Sequence, residues 1–481
     1  MSNHKTSPSW RNLRDIPSLM LGVARSIART LWGEFESWEE IGKFLLLASV
    51  FFFVIGVYWT LRPLKDSLFN ELIGISYQPI AKILSMFVLF PLVILYSKLI
   101  DWFSRDKVFY SLIAAYALMA LVFFAIFHYH PEYGLIGAKA AGKNIYNLIG
   151  WAWYVYVESF GSIIVALFWA IASDVTLPEA ARRGFPLVVF FGQLGNVLGP
   201  LVLRAERLGT ITSAPVIAFC AVFMICAAIM LFIFMNTVPK HLLKGYHGKD
   251  ETKVEREQEP GFLEGLRILL SSSYLIGIFF IVTVYEVIMT IIDFHFKVTV
   301  MSTFDTEIAR SAYLSDYAVW VGIIAMISLA LGLGRVQKWL GMTAALVLLP
   351  ILILSAVLLL NSYPSALWVI LCIMVFSKAV NYALNQPTLK QLYIPTTHDT
   401  KYKAQAWGDM FGSRGAKAGS SGVNYMRESV FEARWGKLAG VQYFVTVMTI
   451  FSVGLIGVWF LVALYIAKVY NQAIKENRVV C

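Results

Sequence analysis

The stretch Tyr58-Trp-Thr-Leu-Arg-Pro-Leu-Lys-Asp-Ser-Leu-Phe69 places charge where charge is costly. It closes an apolar run that begins at Phe44, and it carries Arg62, Lys65 and Asp66 around Pro63. An ionised side chain at mid-membrane costs about 2.5–3.5 kcal/mol on insertion scales, so such residues usually face a bundle interior or an aqueous path. Their spacing sets all three on one side of a helix. A lone Arg can snorkel to headgroups instead, but intramembrane charges recur along the chain. Glu158 lies in the fourth apolar segment, Asp293 and Lys297 in the seventh, Lys378 in the tenth with Lys390 at its end, and Asp409, Arg414 and Lys417 in the eleventh. Cations outnumber acids in this set, and a basic cavity focuses anions. Several converging Lys and Arg side chains suit a multiply charged group such as a polyphosphate. Glu158 has two available roles: pairing with a cavity Lys until an anion displaces it, or carrying a proton as a desolvated carboxyl. Trp59, Tyr154, Phe160 and Tyr382 could stack a base, although packing is the commoner use of such rings.

The elements that position these groups follow from composition and periodicity. Of 481 residues, 58% are hydrophobic and 15% charged, against about 25% charged in soluble domains; the chain is an integral membrane protein. Apolar segments fall at roughly 42–69, 77–100, 108–129, 145–173, 185–204 and 213–237, then at 272–299, 313–334, 341–361, 366–388, 404–426 and 441–470. Between the two sets runs a charged linker over 238–265. The expected fold is therefore an all-α membrane protein with twelve transmembrane helices in two six-helix bundles, 42–237 and 266–470, with a tail from 471 to 481. Residues 8–33 place apolar side chains three or four apart with Arg on the other faces, an amphipathic helix within a cytoplasmic segment 1–41, suited to an anionic leaflet.

Positive residues cluster beside one set of helix ends: the N-terminal Arg residues, Arg105 and Lys107, Arg182 and Arg183, the linker, Arg335 and Lys338, Lys401 and Lys403, and the tail. That bias puts both termini in the cytoplasm. Arg204 and Arg207, and Arg427, Arg434 and Lys437, dissent on the opposite side, mixed with acids. The net charge of +10 is thus used for topology, and no nucleic-acid partner is expected. The pattern FGxxGxxxG occurs at Phe191–Gly199 and again at Phe411–Gly419, 220 residues later. Small residues at this spacing let helices approach closely, and two related six-helix halves are the architecture of major-facilitator-type carriers, which work by alternating access around a midplane site.

Several chemistries find no residues. The four cysteines form no CxxC or Cys/His cluster, so neither disulfide, metal nor cofactor is expected. No GxxxxGK[ST], HExxH or GxSxG is present, so the chain is expected to be no enzyme and to hydrolyse no nucleotide. His295 lacks an evident catalytic partner, which leaves a membrane-embedded lipid enzyme little support.

Three stretches late in the chain and two earlier ones resemble the nucleotide transporter (ATP/ADP translocase) family of plastids and intracellular bacteria. Thr388-Leu-Lys-Gln-Leu-Tyr-Ile-Pro395, Lys401-Tyr-Lys-Ala-Gln-Ala-Trp-Gly-Asp409 and Gly415-Ala-Lys-Ala-Gly419 are similar, in order and spacing, to that family's "TKEMAYIP … KxKxKAxxD … GKSGG" block. Leu61-Arg-Pro-Leu-Lys-Asp-Ser-Leu resembles its "LRDTKDTL", and Tyr156-Val-Glu-Ser-Phe-Gly-Ser162 its "LAEIWGS". The resemblance implies functional charges at Lys65, Glu158 and Lys390, with Asp293 and Lys297 matching a "LIEVTWK"-like setting in which Asp replaces Glu. It further implies a monomeric carrier of nucleotides in a bacterial inner membrane, exchanging ATP for ADP without hydrolysis. Proton-linked nucleotide import and carriage of other phosphorylated anions are its alternatives.

Overall fold

Helix α1 (Trp38–Leu72) shows how this sequence builds its spans. The Ser37 hydroxyl accepts the Glu40 N–H at 3.1 Å, capping the start, and Glu39 and Glu40 sit in the first turn, where acids favour the helix dipole. At about 1.5 Å per residue its 35 residues exceed a bilayer core of about 30 Å. It ends where Phe69 O accepts the N–H groups of Ile73 and Gly74, with Gly74 at φ 117°. The computed structural model describes residues 35, 37–129, 144–210, 212–243, 262–330, 334–393, 395–396, 412–476 and 478–480. The helix expected over 8–33, most of the charged linker and Asp409 lie outside these residues.

The chain continues through α2 (Gln78–Trp102), α3 (Arg105–Tyr129), α4 (Leu148–Asp174), α5 (Pro178–Val202), a single turn at Ala205–Leu208, and α6 (Ala214–Thr237). After a short helix at Phe262–Ser271 come α7 (Ser273–Thr303), α8 (Glu307–Ala330), α9 (Gly334–Ser362), α10 (Leu367–Val380), α11 (Ser413–Met426) and α12 (Lys437–Glu476). No strand occurs among the described residues.

Ten of the described helices are long and apolar enough to cross a bilayer. The expected count of twelve departs at two places with a physical cause. The tenth segment is divided: α10 runs into a π-helical stretch, Asn381–Asn385, and then Gln386–Leu392, with a proline at the start of that last piece. The eleventh is Gly- and Ser-rich and polar, so its hydropathy is low, and part of it lies outside the described residues.

Buried apolar side chains form two cores. The first joins α1 to α6, with Phe44, Phe51, Leu61, Trp153, Phe160 and Leu231 among its members. The second joins α7, α8, α9, α10 and α12 around Leu275, Ile288, Phe296, Trp459 and Ile466, and takes in Trp59 of α1. Helix α1 crosses α5 at the first FGxxGxxxG. A Cβ on Gly195 would meet the Phe52 carbonyl oxygen at 2.3 Å, so only glycine admits this approach. The second copy behaves differently: Gly412 abuts the Phe279 ring of α7, while Gly415 and Gly419 have nothing within 4 Å among the described residues. All three glycines of the first copy are packed, and among the described residues only the first of the second copy is.

Candidate functional site

Helices α1 and α7 carry the site because each repeats charge on one face. Arg62, Lys65 and Asp66 share a side of α1, and Glu286, Thr290, Asp293 and Lys297 recur three or four apart on α7. From these faces runs an alternating chain of acids and lysines. Lys65 is ion-paired with Glu158 of α4 and lies 3.8 Å from Asp66. Asp66 accepts from Gln78 Nε2 at 2.6 Å and pairs with Lys297 at 2.8 Å. Lys297 also pairs with Asp293 at 3.0 Å, and the same Asp293 oxygen takes Lys82 of α2 at 3.2 Å. Three acids and three lysines from four helices thus satisfy one another, as deeply buried charges must. Lys65, Asp66 and Lys297 side chains are at most 6% exposed, whereas Glu158 is 30% exposed.

Arg62 is set apart. It stacks on Trp59 at 4.9 Å, a cation–π contact one turn back, and among the described residues no carboxylate lies within 4.0 Å of it. Tyr58 and Tyr382 stand within electrostatic reach of both Arg62 and Lys417. Lys417 is 48% exposed and Glu158 30% exposed, so both remain accessible while Lys65 and Lys297 are covered.

A second cluster lies on the α7–α11 side. Lys417 pairs with Glu286 at 3.4 Å, and Ser413 donates to Glu286 at 3.2 Å. Glu286, Ser413, Gln386, Lys390 and Tyr393 line a cavity of about 200 Å³. Small-molecule sites usually measure about 300–1,000 Å³, so this one admits a phosphate-sized part of a ligand. Of the cations expected to line one basic cavity, Lys65 and Lys297 join Lys82 in a dry chain, Lys390 and Lys417 lie in an exposed cluster, and Arg62 stands between.

Of the aromatic candidates, Tyr154 is fully buried, with Lys65 over its ring at 4.3 Å and Phe69 edge-on at 5.1 Å. Phe160 is likewise fully buried against Tyr116. Trp59 lies under Arg62, and Tyr382 is 42% exposed. Protein atoms therefore occupy the rings of Tyr154, Phe160 and Trp59 in this structure, and Tyr382 is accessible. Sequence reasoning missed Lys82, Gln78 and Glu286. Lys82 and Glu286 are ionisable residues inside apolar spans, the signal that identified the others.

At one end of the helices the two cores are fastened. Glu71 pairs with Arg310, Arg204 with Asp316 at 2.6 Å, and the Ser213 hydroxyl donates to Glu307. A cavity of about 860 Å³ lies near this end, lined by Asn70, His295, Asn424 and Arg427 among others.

The fold has known counterparts. The chain is similar in fold to a bacterial homologue of the iron transporter ferroportin in an inward-facing state (TM-score 0.59, 11% identity, 90% of this chain and 100% of that one). It is also similar to the D-xylose-proton symporter (TM-score 0.57, 13% identity, 89% and 97%) and the nucleoside transporter NupG (TM-score 0.54, 14% identity, 89% and 99%). At these identities the likeness speaks for a major-facilitator-like fold alone. In sequence it is 23% identical to ADP,ATP carrier protein 1 of Rickettsia typhi, over 91% of this chain and 95% of that protein. It is 25% identical to the chloroplastic ADP,ATP carrier protein 2 of Arabidopsis thaliana, over 90% and 76%. The pattern that defines the TLC ATP/ADP transporter family extends over residues 25–470. With that match spanning nearly its whole length, the chain belongs to the TLC ATP/ADP transporter family.

Proposed function

We propose that the protein exchanges ATP for ADP across a bilayer by alternating access, with no hydrolysis. One observation carries this reading: a ladder of lysines and acids joins α1, α2, α4 and α7 beside an arginine that has no paired carboxylate among the described residues. A phosphate chain can replace the carboxylates on such lysines, since both offer oxygen acceptors of matching charge. In this reading Arg62, Lys65, Lys297, Lys390 and Lys417 engage phosphates, while Asp66, Glu158 and Asp293 hold the lysines in the empty state. Tyr382 is the accessible ring for the base. Asp409 joins the set through the resemblance of its motif. The ADP,ATP carrier relatives support the choice of nucleotide. Residues 42–237 and 266–470 act as the two rocking bundles, each with its own apolar core. The positive bias of the loops supports cytoplasmic termini in a bacterial inner membrane, and one chain contains the whole site.

Proteoliposomes preloaded with ADP test this. Labelled ATP should enter them, should enter poorly without internal ADP, and should be indifferent to an uncoupler. Lys65→Ala and Lys390→Ala should each abolish uptake; unchanged uptake in both would overturn the assignment. Uptake that collapses with the uncoupler and ignores internal ADP would point to proton-coupled import instead.

A further inference from the structure

Resting on the nucleotide reading above, we infer that Lys82 is a further phosphate ligand and that its pair with Asp293, crossed with the pair Lys297–Asp66, is the lock that makes exchange obligatory. The geometry has a particular symmetry. Asp66 and Lys82 come from α1 and α2, which pack in the first core, and Asp293 and Lys297 come from α7, in the second. Each core therefore sends one acid and one lysine across: Lys297–Asp66 at 2.8 Å and Lys82–Asp293 at 3.2 Å. All four side chains are no more than 19% exposed. Separating the cores here would break both pairs at once in a dry setting, where an uncompensated charge is costly.

After such a separation the partners are unequal. Asp293 keeps Lys297 one turn away on its own helix at 3.0 Å. Asp66 keeps Gln78 at 2.6 Å and Lys65 at 3.8 Å, and Lys65 keeps Glu158. Lys82 loses its sole carboxylate among the described residues. An anion that enters and takes Asp293's place on Lys82 removes that penalty, so the substrate itself supplies what the turning carrier lacks. The empty carrier cannot turn without it, and an empty return stroke is what exchange forbids. Differential binding of this kind is how a ligand shifts a two-state equilibrium.

The test uses the full chain in proteoliposomes loaded with labelled ADP and diluted into buffer with or without ATP. The native carrier should release label only when ATP is outside; if it exchanges no nucleotide at all, the functional reading fails before the lock is tested. Lys82→Gln should leak label into nucleotide-free buffer about ten-fold or more faster than native, within the usual range of coupling factors, with a raised KM for ADP. Lys82→Arg should restore tight exchange. Asp66→Asn, which opens the other pair, should leak in the same direction and decides the matter if Lys82→Gln does not fold. Variants that bind ADP yet still release label only against external nucleotide, at native tightness, overturn the lock.

Discussion

Gly199 lies so close to Gly56 that a Cβ on it would sit 2.5 Å from the Gly56 carbonyl oxygen. The contact holds α5 against α1, the helix that carries Arg62, Lys65 and Asp66, so the packing of two glycines sets the position of three charges. Gly199→Ala should force the helices apart and cost about 1–3 kcal/mol, the usual penalty of overpacking. Gly419→Ala is the control, because nothing among the described residues lies within 4 Å of that helical site, and it should leave stability unchanged or raise it by up to about 1 kcal/mol. Thermal unfolding in detergent checks both. An equal drop in the two would show that the close approach is not what matters.

How far the sequence revealed this depends on the kind of signal. Long apolar runs made α1, α3, α6 and α12 legible, because crossing a bilayer demands length and hydropathy together. The eleventh segment, expected as an apolar run over 404–426, is rich in Gly, Ser and Lys where it is described, since a helix shielded by neighbours is free to be polar. Lys65, Glu158, Asp293 and Lys297 were visible as charges out of place, and Lys82 and Glu286 were as visible by that measure. The pairing was not legible. Nothing in a linear sequence says that Lys297 faces Asp66, 231 positions away, or that Lys390 opens on Glu286 rather than on Lys65. The matched glycine patterns show the same limit, for the first copy is packed at all three glycines and, among the described residues, the second only at Gly412.

The fastened end of the bundle should loosen when its ion pairs are removed. Arg204 meets Asp316 at 2.6 Å, with Arg204 10% and Asp316 50% exposed. The half-exposed acid limits the pair to the range of surface salt bridges, about 0.2–1 kcal/mol. Arg204→Gln should therefore raise the labelling rate of a Leu203→Cys reporter, buried beside it, by about two- to five-fold with a membrane-impermeant maleimide. An unchanged or slower rate would mean that this pair does not hold the end closed.

Glu286 competes for Lys417, to which it is paired at 3.4 Å. If Lys417 binds phosphate, Glu286→Gln should free it and lower the KM for nucleotide by about two- to five-fold, the yield of one partly exposed pair. Initial-rate measurements over a range of ADP concentrations give the answer. A KM that rises would mean that Glu286 helps hold the substrate and that the cluster is wrongly assigned.

Tyr382 and Phe160 separate binding from packing. Tyr382 is exposed in the π-helical stretch after α10, within electrostatic reach of Arg62 and Lys417. A π-helical turn re-aims side chains and often marks a functional position, so Tyr382 is placed to lay its ring on a base beside the phosphates. Stacking of a base on an aromatic ring contributes about 1–3 kcal/mol, so Tyr382→Ala should weaken ATP binding by about five- to a hundred-fold with little change in thermal stability. Phe160 is fully buried against Tyr116, and Phe160→Ala should instead cost about 3–5 kcal/mol of stability. Any carrier that survives that substitution should bind ATP normally. Calorimetric titration with ATP beside thermal melts resolves the two effects, and a Tyr382→Ala protein with native affinity would remove this ring from the site.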